Sequence, residues 1–315
     1  MHDSRRDNTH TPSRRTHLAL YFCALALASV YSACAAASRS PDPTRPRADD
    51  PPYPVTLTSD KDRNARALNA WSALAHNNGL APNAPAPELQ PVIATPRALP
   101  SSAVGALHLP LVEIKTGSKE NQDEATRESL RRFIASAGDL LGGSLNSLSL
   151  AEIASDGTAR VARYRQKPFP YPLRGGYGRI EIRFAPDRTV LALSSTAIPD
   201  TERLTRALVA ARARTMPAEQ VASKLAGRTF TFTTNAGATE THTVAAGEPI
   251  NPRALVVYPL ARAGDPDTLE LRLAWEAQVG ATGDLLVYLD AVTGETIAAA
   301  RQTPPTQEAQ PVGTP

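Results

Sequence analysis

Residues 179–194 read RIEIRFAPDRTVLALS. Ile180, Ile182 and Phe184 fall on one side of an extended chain, and Arg179, Glu181 and Arg183 fall on the other. A period of two with alternating polarity describes a strand that is buried on one face and wet on the other. Ala185-Pro186-Asp187-Arg188 carries turn residues, so 189–194 returns alongside the first strand. The stretch therefore predicts an antiparallel sheet with one solvated face.

Upstream, 159–165 (ARVARYR) reads as a further strand and 167–178 (KPFPYPLRGGYG) as a turn-rich loop. A helix is predicted over 121–142, capped by Asn121 or Asp123. Leu130, Phe133, Ile134, Ala137 and Leu141 form its apolar stripe, and Gly142-Gly143 stops it. Downstream the pattern repeats: helices over 202–214 and 217–225, the second capped by Thr215. Strands then follow at 229–233, 255–259, 270–279, 285–290 and 296–300. Asp290-Ala291-Val292-Thr293-Gly294 reads as a tight turn in which Asp290 accepts backbone N–H groups and Gly294 supplies a positive φ. Two consecutive blocks, each an antiparallel sheet packed by one or two helices, make the class α+β.

The 315 residues carry a formal net charge of +3. Four of the 34 basic residues, Arg5, Arg6, Arg14 and Arg15, precede the apolar run LALYFCALALASVYSA at 18–33, with only Asp3 and Asp7 against them. A basic segment, a short apolar run and a small-residue exit describe a secretory signal over 1–34. From residue 34 onward 30 basic residues face 29 acidic ones, so no phosphate-tracking surface and no nucleic-acid partner is expected. Two exits stay open: Ser32-Ala33-Cys34 ends like a lipobox, with Cys34 the acylated N-terminus, and Ala35-x-Ala37 suits ordinary signal peptidase. The expected address is the cell envelope, periplasmic or lipid-anchored to the membrane, or the secreted fraction. Thirteen of the 28 prolines lie between Pro41 and Pro110. Residues 35–103 accordingly read as a proline-rich, disordered tether holding one short helix at 60–76, with Asp60 its cap and Leu68, Trp71 and Ala75 its stripe. The tail 301–315 has nothing to bury.

Two groups of motifs carry a family resemblance. Tyr164-Arg165-Gln166, Gly175-Gly176, the strand from Arg179 to Phe184, the Pro186-Asp187 turn and its return strand resemble the FTP module. Leu255-Val256-Val257-Tyr258-Pro259, Leu273-Ala274-Trp275-Glu276 and the run from Val287 to Glu295 resemble the PepSY module. The resemblance covers 104–200 and 201–300 respectively. The loop from Phe169 to Arg174 departs from it, standing where a shorter Gly-x-Pro-Val segment is usual. The tandem is similar to the propeptide of secreted thermolysin-like and fungalysin-like zinc metallopeptidases. That implies a protein that covers a peptidase cleft, inhibits the enzyme and helps it fold, here in trans on a secreted thermolysin-like metallopeptidase. A non-inhibitory envelope scaffold and a truncated remnant of a peptidase precursor are the alternatives.

The chemistry-bearing residues point away from an enzyme. A zinc peptidase needs H-E-x-x-H on a helix, and none of the six histidines is followed by Glu. Gly175-Gly176-Tyr177-Gly178 lies between strands rather than at a helix start, so it makes no phosphate cradle. No cofactor and no metal is expected, and a monomer is. Arg160, Arg163 and Arg165 are read as alternating on one strand face, a patch that with Gln166 could meet an acidic partner. Trp275, Asp290 and Gly294 are read as core and turn residues.

Overall fold

The computed structural model describes residues 52–112, 119–167, 169–233 and 237–301. The signal segment, Cys34 and the tail beyond Arg301 lie outside the described residues. What is described belongs to one unit, Pro46–Pro315. In chain order it holds β1 (Val55–Thr58), α1 (Lys61–Asn77), α2 (Lys119–Ser136), α3 (Gly138–Leu141), β2 (Leu148–Asp156), β3 (Ala159–Gln166), β4 (Arg179–Phe184) and β5 (Val190–Ser195). There follow α4 (Thr201–Ala211), α5 (Val221–Leu225), β6 (Thr229–Thr233), β7 (Thr239–Thr243), β8 (Ile250–Arg262), β9 (Asp265–Val279), β10 (Leu285–Asp290) and β11 (Thr296–Arg301). The class is α+β: a four-stranded antiparallel sheet, a five-stranded one and a short hairpin, with helices packed against them.

In the first sheet the order is β2-β3-β4-β5. Its inner face (Ala162, Tyr164, Ile180, Ile182, Leu193) packs on Leu130, Phe133 and Ile134 of α2. The predicted alternation of 179–184 holds residue for residue. Strand β2 has no counterpart in the sequence reading, because a register shift between Leu150 and Glu152 breaks its period of two. The helix over 121–142 also differs. It starts at Lys119, so Asp123 lies inside it, and it breaks at Ala137 before the separate turn α3. Gly142 then takes φ 73°, with the site of a Cβ only 2.5 Å from Thr95 Cγ2, so glycine is required there.

From residue 52 onward the segment expected to be a tether is built into the fold. Strand β1 pairs antiparallel with β9, setting Val55 against Leu271. Helix α1 is capped by Asp60 through the amide of Asp62 at 2.8 Å and buries Ala67, Trp71 and Leu74. Leu68, assigned to its apolar stripe, is exposed. Beyond α1, Ser195 N donates to Pro96 O, Val190 N to Leu107 O and Leu109 N to Arg188 O. Residues 96–109 thus cover the edge of β5. Proline forbids a helix interior and a full ladder, but it permits a segment that accepts single hydrogen bonds along a sheet edge. Composition recorded the first restriction and not the second.

In the second sheet β9 is the centre. It pairs with β8 on one side and, on the other, with β1 along its first half and β10 along its second. Helix α4 closes this sheet through Leu204 and Leu208. Helix α5 adds Val221 and Leu225 beneath the β6–β7 hairpin. The stretch 217–225 is only partly α-helical, and the Thr215 hydroxyl donates back to Arg212 O, closing the preceding turn rather than capping the next.

Candidate functional site

Strand β3 decides where the charges go. Its period of two sends Ala162, Tyr164 and Gln166 to the core side, and Arg160 shares their parity. Arg160 therefore does not join Arg163 and Arg165 on one face. It reaches α2, with Nη2 3.0 Å from Asp123 Oδ1 and Nη1 3.3 Å from Thr126 Oγ1. Gln166 is also turned inward: its amide donates to Ile198 O at 2.7 Å and accepts from Ile198 N at 2.9 Å. A side chain so engaged ties the first sheet to the start of α4 and is not a free contact.

The outer face neutralises most of its own charge. Arg163 pairs with Glu152 at 2.7 Å and Glu181 at 3.2 Å, and Arg183 with Asp156 at 2.8 Å. The hydrogen bond to Glu152, then that to Glu181, holds the Arg163 guanidinium above its ordinary pKa. One step along, the pattern stops. Arg165 stands directly opposite Arg179, and among the described residues neither meets a carboxylate. Like charges at directly opposed positions repel.

Those two arginines form one wall of a cleft of about 800 Å³, within the span of about 300–1,000 Å³ usual for ligand sites. Lys167, Arg174 and Arg253 add three more cations, and Leu173, Leu286 and Tyr288 supply apolar surface. The one carboxylate lining it is Glu276, which is held by Arg174 Nε at 2.6 Å and by the Tyr288 hydroxyl at 3.3 Å. Burial, and next the charge of Glu276, push the Tyr288 phenol up to about 12. Lys167, Arg165, Arg179 and Arg253 thus have no counter-charge among the described residues, and all four are exposed.

The 169–178 loop makes this cleft by crossing between the sheets. Phe169 is buried among the side chains of the second sheet. Val257 N donates to Pro172 O at 2.8 Å and Arg174 N to Val257 O at 3.0 Å, so the loop bridges to β8 in parallel at Leu173. Gly178 takes φ 75°, a backbone conformation that favours glycine, and a Cβ there would push the Leu173 side chain aside.

A second polar cluster is internal. Asp290 is fully buried and accepts from Val292 N, Thr293 N and Tyr53 Oη through Oδ1, while Arg272 Nη1 sits 3.2 Å from Oδ2. Gly294 takes φ 75° and donates to Asp290 O. Trp275 is half-buried between α4 and α5, its indole N–H donating to Met216 O at 2.9 Å. These three residues have structural partners and do not border the cleft. Among the described residues no group of three or more His, Cys, Asp or Glu side chains gathers as a metal site. No described helix is long and apolar enough to cross a membrane.

Sequence reasoning reached Arg165 and missed Lys167, Arg174, Arg179 and Arg253 as a group. The signal was present only as cations bracketing a glycine-rich loop, and their convergence needs the loop's path. No family model and no curated protein matches the chain. Among solved structures the chain is similar to the Bacillus megaterium YpeB C-terminal domain, at 13% identity and a TM-score of 0.25, over 62% of this chain and 69% of that one.

Proposed function

We propose that the chain is an exported, non-enzymatic, propeptide-like protein that acts in trans on a secreted zinc metallopeptidase, as inhibitor, folding aid or both. The observation that carries the binding part of this reading is the cleft whose Arg165, Lys167, Arg179 and Arg253 have no counter-charge among the described residues. A surface that leaves opposed arginines unneutralised suits an acidic partner surface. The choice of a peptidase as partner is supported by the motifs from Tyr164 to Phe184 and from Leu255 to Glu295, which resemble the FTP–PepSY tandem. Acylation of Cys34 would hold the protein at the membrane, and mass spectrometry of the mature N-terminus reads it directly.

The test mixes residues 38–315 with thermolysin-like peptidases secreted by the same source. A fall in peptidase activity or a rise in refolding yield at micromolar concentration supports the reading. The absence of both effects removes it and leaves an envelope scaffold.

A further inference from the structure

The outer face of the first sheet sets its own standard for charge. Arg163 has two carboxylates and Arg183 has one, all within hydrogen-bond distance. Arg165 and Arg179 occupy the same face one step further along the same strands, directly opposed. Opposed like charges are destabilising, and a carboxylate at Ser149, which faces Arg165 on β2, would have relieved them as Glu152 relieves Arg163. The chain leaves the repulsion at the end of the sheet that borders this cleft. Arg253 and Lys167 approach from the other sheet and the loop, with no carboxylate of their own among the described residues.

The rest of the lining narrows the ligand. Leu173, Leu286 and Tyr288 offer apolar surface beside the cations. Glu276 lies deep, buried and held by Arg174, so a densely charged polyanion pressed to the floor would meet a carboxylate. A volume of about 800 Å³ is also far larger than a single phosphate group. An extended peptide that alternates acidic and apolar side chains suits both kinds of surface, since successive side chains point to opposite sides.

We propose that this cleft binds an extended segment of a partner protein in which acidic and apolar residues alternate, its carboxylates seated between Arg165 and Arg179 and beside Arg253. The proposal rests on the reading of the cleft as the partner-binding surface and names the chemistry of what enters it. Charge-assisted hydrogen bonds between guanidinium and carboxylate are the stronger kind and fix geometry, which accounts for arginine at three of the positions.

The experiment uses fluorescence anisotropy with residues 38–315 and a fluorescein-labelled peptide of alternating glutamate and leucine. Binding is expected that weakens with added salt. It should fall by about tenfold or more in R165E/R179E, since charge-assisted hydrogen bonds are lost and repulsion is gained. The lysine–leucine counterpart should not bind. Arg163→Glu serves as the control for surface charge away from the cleft and should leave binding within about twofold of wild type, as expected for an arginine already paired with carboxylates. Circular dichroism establishes that each variant is folded. Equal binding to R165E/R179E overturns the proposal, as does failure of the glutamate–leucine peptide to bind while inorganic phosphate or phosphatidylglycerol vesicles do. The outcome separates from that of the peptidase assay. Peptide binding without any effect on a peptidase leaves this proposal standing alone, whereas peptidase inhibition unchanged in R165E/R179E removes the cleft as the partner-binding surface, and this proposal with it, and leaves the peptidase as partner through another surface.

Discussion

The hydroxyl of Tyr53 donates to Oδ1 of Asp290 at 3.0 Å, joining residues 237 positions apart. It does so at the gap between β1 and β10, which share one flank of β9. In that gap Leu273 N donates to the Tyr53 hydroxyl at 3.0 Å and Leu273 O accepts from Ala291 N at 2.8 Å. A side chain thus completes a ladder that two collinear strands leave open.

Tyr53→Phe removes the hydroxyl and leaves the Leu273 amide without its acceptor, while Asp290 Oδ1 keeps the amides of Val292 and Thr293. The expected loss is about 1–3 kcal/mol. Thermal unfolding should show a midpoint lowered by roughly 2–4 °C for each kcal/mol lost in a domain of this size. An unchanged midpoint would mean that water replaces the hydroxyl without cost.

A chain beginning at residue 104 should not fold. It lacks β1, α1 and the segment carrying Pro96, and it uncovers the core around Trp71 and Leu74. Near-ultraviolet circular dichroism is expected to lose its fine structure. Trp71→Ala in the longer chain should cost about 3–5 kcal/mol, the usual range for emptying a large buried aromatic site. A well-folded 104–315 fragment would restore the view of 35–103 as a tether.

Arg174→Met leaves Glu276 buried beneath the 169–178 loop without its cation. Breaking a buried pair at one partner typically costs about 3–5 kcal/mol, and the lower end applies because Arg174 is itself about one-third exposed, 33%. The double variant R174M/E276Q should recover much of that loss. Urea unfolding of the two singles and the double gives the coupling, and simple additivity would show that the pair does not act as a unit.

Stability should fall on the alkaline side. Burial raises the phenols of Tyr164 and Tyr288 to about 12, with Glu276 adding to the second, and burial followed by the charge of Asp290 raises Tyr53 further still. Each favours the neutral form in the fold. Their contribution is whole below the unfolded tyrosine value near 10 and is lost as pH rises through the folded values. A titration followed by the phenolate absorption band should show these tyrosines ionising only as the chain unfolds. Reversible ionisation of Tyr53, Tyr164 and Tyr288 near pH 10 with the fold intact would contradict this.

The α+β class, the strands at 179–184, 229–233 and 285–290, the Asp60 cap and the Asp290–Gly294 turn were legible in the residues alone. Each is a local property: a period of two, a side chain reaching an amide two residues on, a glycine at positive φ. Parity even placed Arg160 away from Arg163 and Arg165, although reading the three arginines as one patch overlooked it. The rest depends on contacts between segments far apart in the chain. Proline density around 41–110 limits which hydrogen bonds a segment makes, but whether that segment packs depends on a sheet edge at Val190 and Ser195 that forms far along the chain. Whether an arginine is neutralised depends likewise on cross-strand register and on the path of the 169–178 loop. Arg163 and Arg165 are alike in sequence, and the fold gives one of them two carboxylates and the other a second arginine.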